Sequence, residues 1–233
     1  KVIPMASAKE AEMTKLLENT FRAVNIGLAN EMAILAQRMK VNIWRVIDAA
    51  ATKPFGFMPF YPGPGWGGHC IPKDPVYLAW KAKVDGGETG FIDHAVYINN
   101  FMPAYVVQRV ADLLNEQRRS LRGSRILLLG VAYKRDVADT RESPALTIMS
   151  LLSKKGSETS YHDPYVPHVQ FDGVSCDSQP LDIEFLESQD CVVITTDHSC
   201  VDYEYVTQHS RLIFDTRNAL KSATGRYPGK VEA

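Results

Sequence analysis

Apolar residues in the first part of the chain recur at the spacing of one helical face. Met13, Leu16, Leu17, Phe21, Val24, Leu28, Met32 and Leu35 form a stripe that predicts a single helix from about Ala8 to Arg38. Ser7 and Glu10 stand in the S-x-x-E spacing of a capping box, which gives that helix its start. So long a helix needs cover from other helices or from a second subunit. A shorter helical piece follows at about 43–50. The pattern then breaks at 54–75, where Pro54, Pro59, Pro62, Pro64, Pro72 and Pro75 stand among five glycines. This reads as a rigid, irregular loop, the kind of segment on which binding and catalytic groups tend to lie. Helical periodicity returns at 76–83 and at about 91–117, where Pro103 removes one backbone donor and predicts a local distortion.

From Ser124 onward the period changes. RILLLGVAY (125–133) reads as a buried parallel strand, and SETSYHD (157–163), CVVITTD (191–197) and RLIFDTR (211–217) as further strands. Ser143-Pro144 has the form of an N-cap followed by proline, starting a helix that Gly156 closes. Strand, helix, strand in repetition predicts an open parallel sheet with helices on both faces. The fold class expected is therefore α/β: a central all-helical domain at 1–120, then a Rossmann-like parallel-sheet domain at 121–233.

Composition narrows the function classes. The 233 residues are 45% hydrophobic and 23% charged, ordinary for a folded soluble chain. The 26 Lys and Arg nearly balance the 27 Asp and Glu, without the basic excess expected of a nucleic-acid binder. Arg118, Arg119, Arg122 and Arg125 therefore read as a solvated linker, with no nucleic-acid partner expected. No apolar run reaches the roughly 18 residues of a membrane helix, and the first residues lack a signal-peptide core. A cytoplasmic setting without membrane contact is expected, and the absence of an initial Met suggests a longer parent. Cys70, Cys176, Cys191 and Cys200 show neither C-x-x-C nor metal-ligand spacing, so neither a disulfide scaffold nor a metal is expected.

Cys70 stands apart because it lies in GPGWGGHCIPKDP, between His69 and Lys73. Cationic neighbours favour the thiolate, the nucleophilic form, although a lone cysteine also has a purely structural reading. Lys15 and Asn19 share one helical face, four residues apart, and offer donors for a developing oxyanion. In the second half no G-x-G-x-x-G is present: the turn after the first strand reads GVAYKRDVADTRES. Lys134, Arg135 and Arg141 in that turn can hold phosphate through side chains instead. Lys134 and Arg217 both follow strands, where the ligand crevice of an open parallel sheet lies. Solvated basic loop residues remain the plain alternative.

Taken together, KPFGFMPFYPGPG, GPGWGGHCIPKDP and LLLGVAYKRDVADTRESPAL resemble the UDP-glucose/GDP-mannose dehydrogenase family, over essentially the whole chain. The resemblance implies oxidation of a nucleotide sugar's primary alcohol to a carboxylate with NAD as cofactor, through a thiohemiacetal and a thioester on the cysteine. It also implies that the family's N-terminal NAD-binding domain is absent here, along with its general acid/base glutamate. Residue by residue, it makes Cys70 the nucleophile and Lys15, Asn19 and Asp74 its catalytic partners. Tyr61, Gly63, Gly65, Gly67, Tyr133, Lys134 and Arg217 become substrate contacts, and Lys73 and Arg141 cofactor contacts. The implied partners are a UDP-sugar and a second copy of the chain, joined through the central helices. His69 and Ile71-Pro72 around the cysteine point to a UDP-N-acetylhexosamine, with UDP-N-acetylglucosamine first, UDP-N-acetylmannosamine second and UDP-glucose third. A non-catalytic UDP-sugar-binding and dimerisation module is the alternative from another class. A cysteine hydrolase is a third reading, without a second motif behind it.

Overall fold

The computed structural model of the protein describes residues 2–221 and 229–232. The chain divides into two compact units. One takes the residues up to Pro62 together with His69–Asn100, and the other takes Gly63–Gly68 together with the chain from Phe101 onward.

The first unit is helical. Helix α1 (Ala8–Arg38) begins on the first half of the expected capping box: Ser7 Oγ accepts from Glu10 N at 3.3 Å, while Glu10 Oε2 reaches past the N-cap to accept from Ala6 N at 3.1 Å. Helix α2 (Ile43–Ala51) is capped by Asn42, whose Oδ1 accepts from Arg45 N. Helix α3 (Asp74–Val84) carries Pro75 in its first turn, and α4 (Gly90–Glu116) runs unbroken through Pro103. Gly27 lets α1 and the start of α4 approach closely, since a methyl there would lie 3.1 Å from Ala95 Cα. Beside it Asn30 Nδ2 donates to Asn99 Oδ1 at 2.8 Å, and Asn99 Nδ2 donates to Ala23 O at 3.1 Å. These buried amides satisfy one another and fix the pairing of the two helices.

The second unit is built on a five-stranded parallel sheet. Its strands are β1 (Arg125–Leu129), β2 (Glu158–His162), β5 (Cys191–Ile194), β6 (Ile213–Asp215) and β7 (Val231–Glu232), in the order β2-β1-β5-β6-β7. Alternate residues of each strand feed two cores. Ile126, Leu128 and Val193 pack with the second half of α4 and with α5 (Pro144–Lys154), while Leu127, Leu129, Val192 and Ile194 pack with α6 (Ile183–Ser188) and α7 (Tyr203–His209). Helices thus cover both faces, as the strand-helix pattern predicts. A hairpin of β3 (His168–Phe171) and β4 (Val174–Asp177) lies outside the sheet, turning at Asp172-Gly173 with positive φ at both residues.

The two compact units divide within α4, because Val106, Val107, Val110, Leu113 and Leu114 are buried in the second unit's core. One expectation from sequence is adjusted. The first strand ends at Leu129 and not at Tyr133, because the Val131 and Ala132 amides donate to the Asp163 side chain and not to a neighbouring strand.

Candidate functional site

In the first unit the candidate catalytic group gathers where α1 meets the start of α3. Asn19 is 1% exposed, and its Nδ2 donates to Asp74 Oδ2 at 2.5 Å. Cys70 enters α3 through a tight turn, its carbonyl accepting from Lys73 N at 3.1 Å and Asp74 N at 2.8 Å. The cysteine, Asp74 and Asn19 are therefore held together by one turn and one side-chain bond. Lys15 lies one helical turn before Asn19, exposed, with its Nζ 3.4 Å from Glu18 Oε2. Cys70 is exposed, whereas burial pushes the Cys191 thiol up to about 12 and leaves it inert at neutral pH. Lys73 is exposed at the N-cap of α3. Tyr61 is tied to α2, its hydroxyl donating to Asp48 Oδ1 at 2.8 Å and its ring stacked on Trp44.

In the second unit the strand order reverses between β1 and β5, which makes their carboxyl ends the topological switch point. The loops there are bound to one another. Asp197, after β5, pairs through Oδ2 with Arg135 Nη2 and through Oδ1 with Arg217 Nε at 3.3 Å. Two guanidinium groups thus share one carboxylate at the strand ends, and guanidinium forks of this kind are suited to phosphate oxygens. Arg217 is fixed from its own side as well: Asp215 accepts from Arg217 N and Leu220 N at 2.9 and 2.7 Å. Burial raises the Asp215 carboxyl above the usual carboxylate range against the pull of those amides. Lys134 is exposed on the same loop as Arg135.

The segment Gly63–Gly68 lies against these loops. A methyl on Gly67 would stand 2.8 Å from Tyr133 Cβ and 2.9 Å from Glu142 O, so only glycine permits that contact. One on Gly63 would meet Arg217 Nη1 at 2.7 Å, and Gly68 N donates to Arg141 O at 3.1 Å. Gly65 lies on the same arm, and Trp66 beside it is 9% exposed. Gly63, Gly65, Gly67, Tyr133, Lys134 and Arg217, expected as substrate contacts, therefore all belong to one unit.

Gly130, in the turn after β1, is filled by Thr196, whose carbonyl oxygen would lie 2.5 Å from an added Cβ. That glycine serves contact between strand ends and not the approach of a pyrophosphate. Arg141 is forked onto Asp139, with Nε–Oδ1 2.9 Å and Nη2–Oδ2 2.5 Å.

Sequence reasoning passes over Asp139, Asp163, Asp197 and His198. Asp163, Asp197 and His198 follow strands, where the crevice rule could have flagged them. Their work is to hold backbone amides and guanidinium groups, which no spacing in the sequence reveals.

Comparison with known proteins accords with this geometry. Residues 9–101 match the central domain, and residues 127–222 the UDP binding domain, of the UDP-glucose/GDP-mannose dehydrogenase family. The chain belongs to that family. It is 38% identical over 224 residues to a UDP-N-acetyl-D-mannosamine dehydrogenase of Pyrococcus horikoshii, covering 93% of this chain and 50% of the relative. It is also 38% identical over 161 residues to a UDP-N-acetyl-D-glucosamine 6-dehydrogenase of Pseudomonas aeruginosa, covering 69% of this chain and 38% of that one. The solved structure of the UDP-D-ManNAc dehydrogenase from Pyrococcus horikoshii superposes with a TM-score of 0.80 at 37% identity, over 91% of this chain and 49% of the other. The chain spans about half the length of the curated relatives it matches. Among the described residues no helix is long and apolar enough to cross a membrane.

Proposed function

We propose that this chain is the thiol-bearing and UDP-sugar-holding part of a nucleotide-sugar 6-dehydrogenase. The observation that supports the reading is the Asn19–Asp74 bond, made beside the turn in which the Cys70 carbonyl accepts from Lys73 N and Asp74 N. The Cys70 thiolate adds to the C6 aldehyde of the sugar, forming a carbon–sulfur bond while the carbonyl oxygen takes up a proton. Asn19 and Lys15 stabilise the negative charge that gathers on that oxygen. At the end of the sequence water attacks the thioester carbon, the carbon–sulfur bond breaks, and the carboxylate leaves as the thiol is restored. The hydride removals belong to NAD bound by the rest of the parent enzyme. Lys73 and Arg141 are proposed as edge contacts to that cofactor.

The second unit holds the nucleotide. Arg217, Arg135 and Lys134 face the diphosphate, and Tyr133 with Gly63–Gly67 shapes the wall beside it. The sugar is proposed to be an N-acetylhexosamine. Of the two epimers, UDP-N-acetylmannosamine is placed first because the relative matched over 93% of the chain bears that name. Calorimetric titration of the chain with both UDP-sugars and with UDP-glucose tests this. The Arg217→Ala variant is expected to bind the preferred one about tenfold more weakly or worse, the effect of losing roughly 1.5–3 kcal/mol of charged hydrogen bonding. Equal affinity in wild type and variant would remove Arg217 from the site.

A homodimer through the central helices is part of the same proposal. Met13, Leu17, Phe21, Leu28, Met32 and Leu35 recur on one face of α1 and are between 41% and 65% exposed in the single chain. A continuous apolar face of that length calls for a partner, and a second copy provides a matching one. A Leu17→Glu, Leu28→Glu double variant is expected to sediment as a monomer while the wild type sediments as a dimer. Unchanged sedimentation would place the interface elsewhere.

A further inference from the structure

Asp163 and His198 are buried ionisable residues, 2% and 0% exposed, that take no part in the chemistry above. Asp163 follows β2 and His198 follows β5, so in the sheet they lie on either side of β1. Both reach the loop that follows β1. Asp163 Oδ2 accepts from Val131 N at 2.7 Å, Ala132 N at 2.9 Å and His198 Nε2 at 3.0 Å. Its Oδ1 accepts from Tyr165 N at 2.9 Å and Val166 N at 3.1 Å. On the other side of the imidazole, His198 Nδ1 accepts from Asp136 N at 3.0 Å. Because Nδ1 is an acceptor, the ring proton sits on Nε2 and donates to Asp163.

We infer that the Asp163–His198 pair is a positioning device for the nucleotide site. It clamps the loop 131–136 at both ends so that Tyr133 and Lys134, between the clamps, meet the uridine diphosphate group in a fixed form. The inference rests on the proposed reading of that loop as part of the UDP-sugar site.

Three features argue for a clamp over simple core filling. The fastened amides are those of Val131, Ala132 and Asp136, which bracket the residues expected to touch ligand. The carboxylate is satisfied by five donors, as an isolated buried charge requires. Burial alone would raise the Asp163 carboxyl, yet the bonds from His198 and the amides outweigh it and hold it below the usual range. The hold is extended by Asp136, whose carboxylate accepts from Ser199 N and Ser199 Oγ, each at 2.8 Å, tying the loop after β1 to the loop after β5. An aliphatic residue at position 198 would fill the same volume and supply none of these bonds.

The test is titration of UDP into the full 233-residue chain by calorimetry, with amide hydrogen exchange followed at Val131, Ala132 and Asp136. The His198→Leu variant is expected to bind UDP about tenfold more weakly, the order of one lost charge-assisted bond, and to exchange faster at those amides. The His198→Gln variant keeps a donor near the position of Nε2 and is expected to recover most of the affinity. Asp163→Asn places an amide donor among backbone donors and is expected to lose at least as much as His198→Leu. If Asp163→Asn does not fold, the two His198 variants decide the matter. A His198→Leu chain with wild-type affinity for UDP overturns the proposal even if its urea midpoint falls. So does a His198→Gln chain no better than His198→Leu. A wild-type chain that does not bind UDP overturns the reading of the site, and the clamp with it.

Discussion

The Cys70→Ser variant of the complete enzyme is expected to release uronic acid at least about a thousandfold more slowly than wild type, as nucleophile removal does elsewhere. A neutral hydroxyl is a far weaker nucleophile than a thiolate. Of the other cysteines in this chain, Cys191 is fully buried, with its thiol raised to about 12. UDP-sugar binding should persist in the variant, since Arg217, Tyr133 and the Gly63–Gly68 arm are untouched. Chromatographic detection of the acid checks the first expectation, and calorimetry the second. Acid formation at the wild-type rate would remove Cys70 from the mechanism.

The largest effect on stability is expected from Gly130→Ala. The glycine has φ +89, and an added Cβ would stand 2.5 Å from both Thr196 O and Thr196 Cβ. Thr196 cannot retreat readily, because its Oγ1 donates to Ala132 O at 2.6 Å and its backbone bonds to β1. Overpacking of this kind costs about 1–3 kcal/mol, and left-handed backbone on a non-glycine residue adds about 1–2 kcal/mol. Gly173→Ala is the matched control, with φ +77 and nothing within 4 Å of an added methyl. It should lose only the backbone part, about 1–2 kcal/mol. Urea midpoints for the two variants measure the difference, and equal midpoints would contradict the steric argument.

The elements that sequence pattern read well are those with local chemistry at their ends. Helix α1 was bounded by Ser7 and Glu10, and α5 by Ser143-Pro144, because capping groups lie within a few residues of the amides they satisfy. The apolar run from Arg125 extends four residues beyond the strand. Val131 and Ala132 are as buried as the strand before them, so hydrophobicity alone does not mark where ladder bonding stops. The β3–β4 hairpin leaves only the Asp172-Gly173 turn signal in the sequence, since four-residue strands with little burial show almost no alternation. Helices α6 and α7 are hidden for a similar reason: at six and seven residues they are too short for a helical stripe, despite their Asp182 and Asp202 caps. At the proposed site, sequence offers only residues whose own side-chain type announces chemistry. Residues that act by holding others give no such signal. Asp163, His198 and Asp197 matter through partners 31 to 62 positions away, and distance along the chain hides that pairing.

The arm Gly63–Gly68 is packed with residues that come much later in the chain, Tyr133, Glu142 and Arg217 among them. During synthesis it leaves the ribosome well before those partners exist. Its final shape must wait until the sheet of the second unit has been made, whatever the helices around it have done. A nascent or prematurely terminated chain therefore carries residues 63–68 as an unfinished loop, which takes its shape only once the sheet of its own unit is complete.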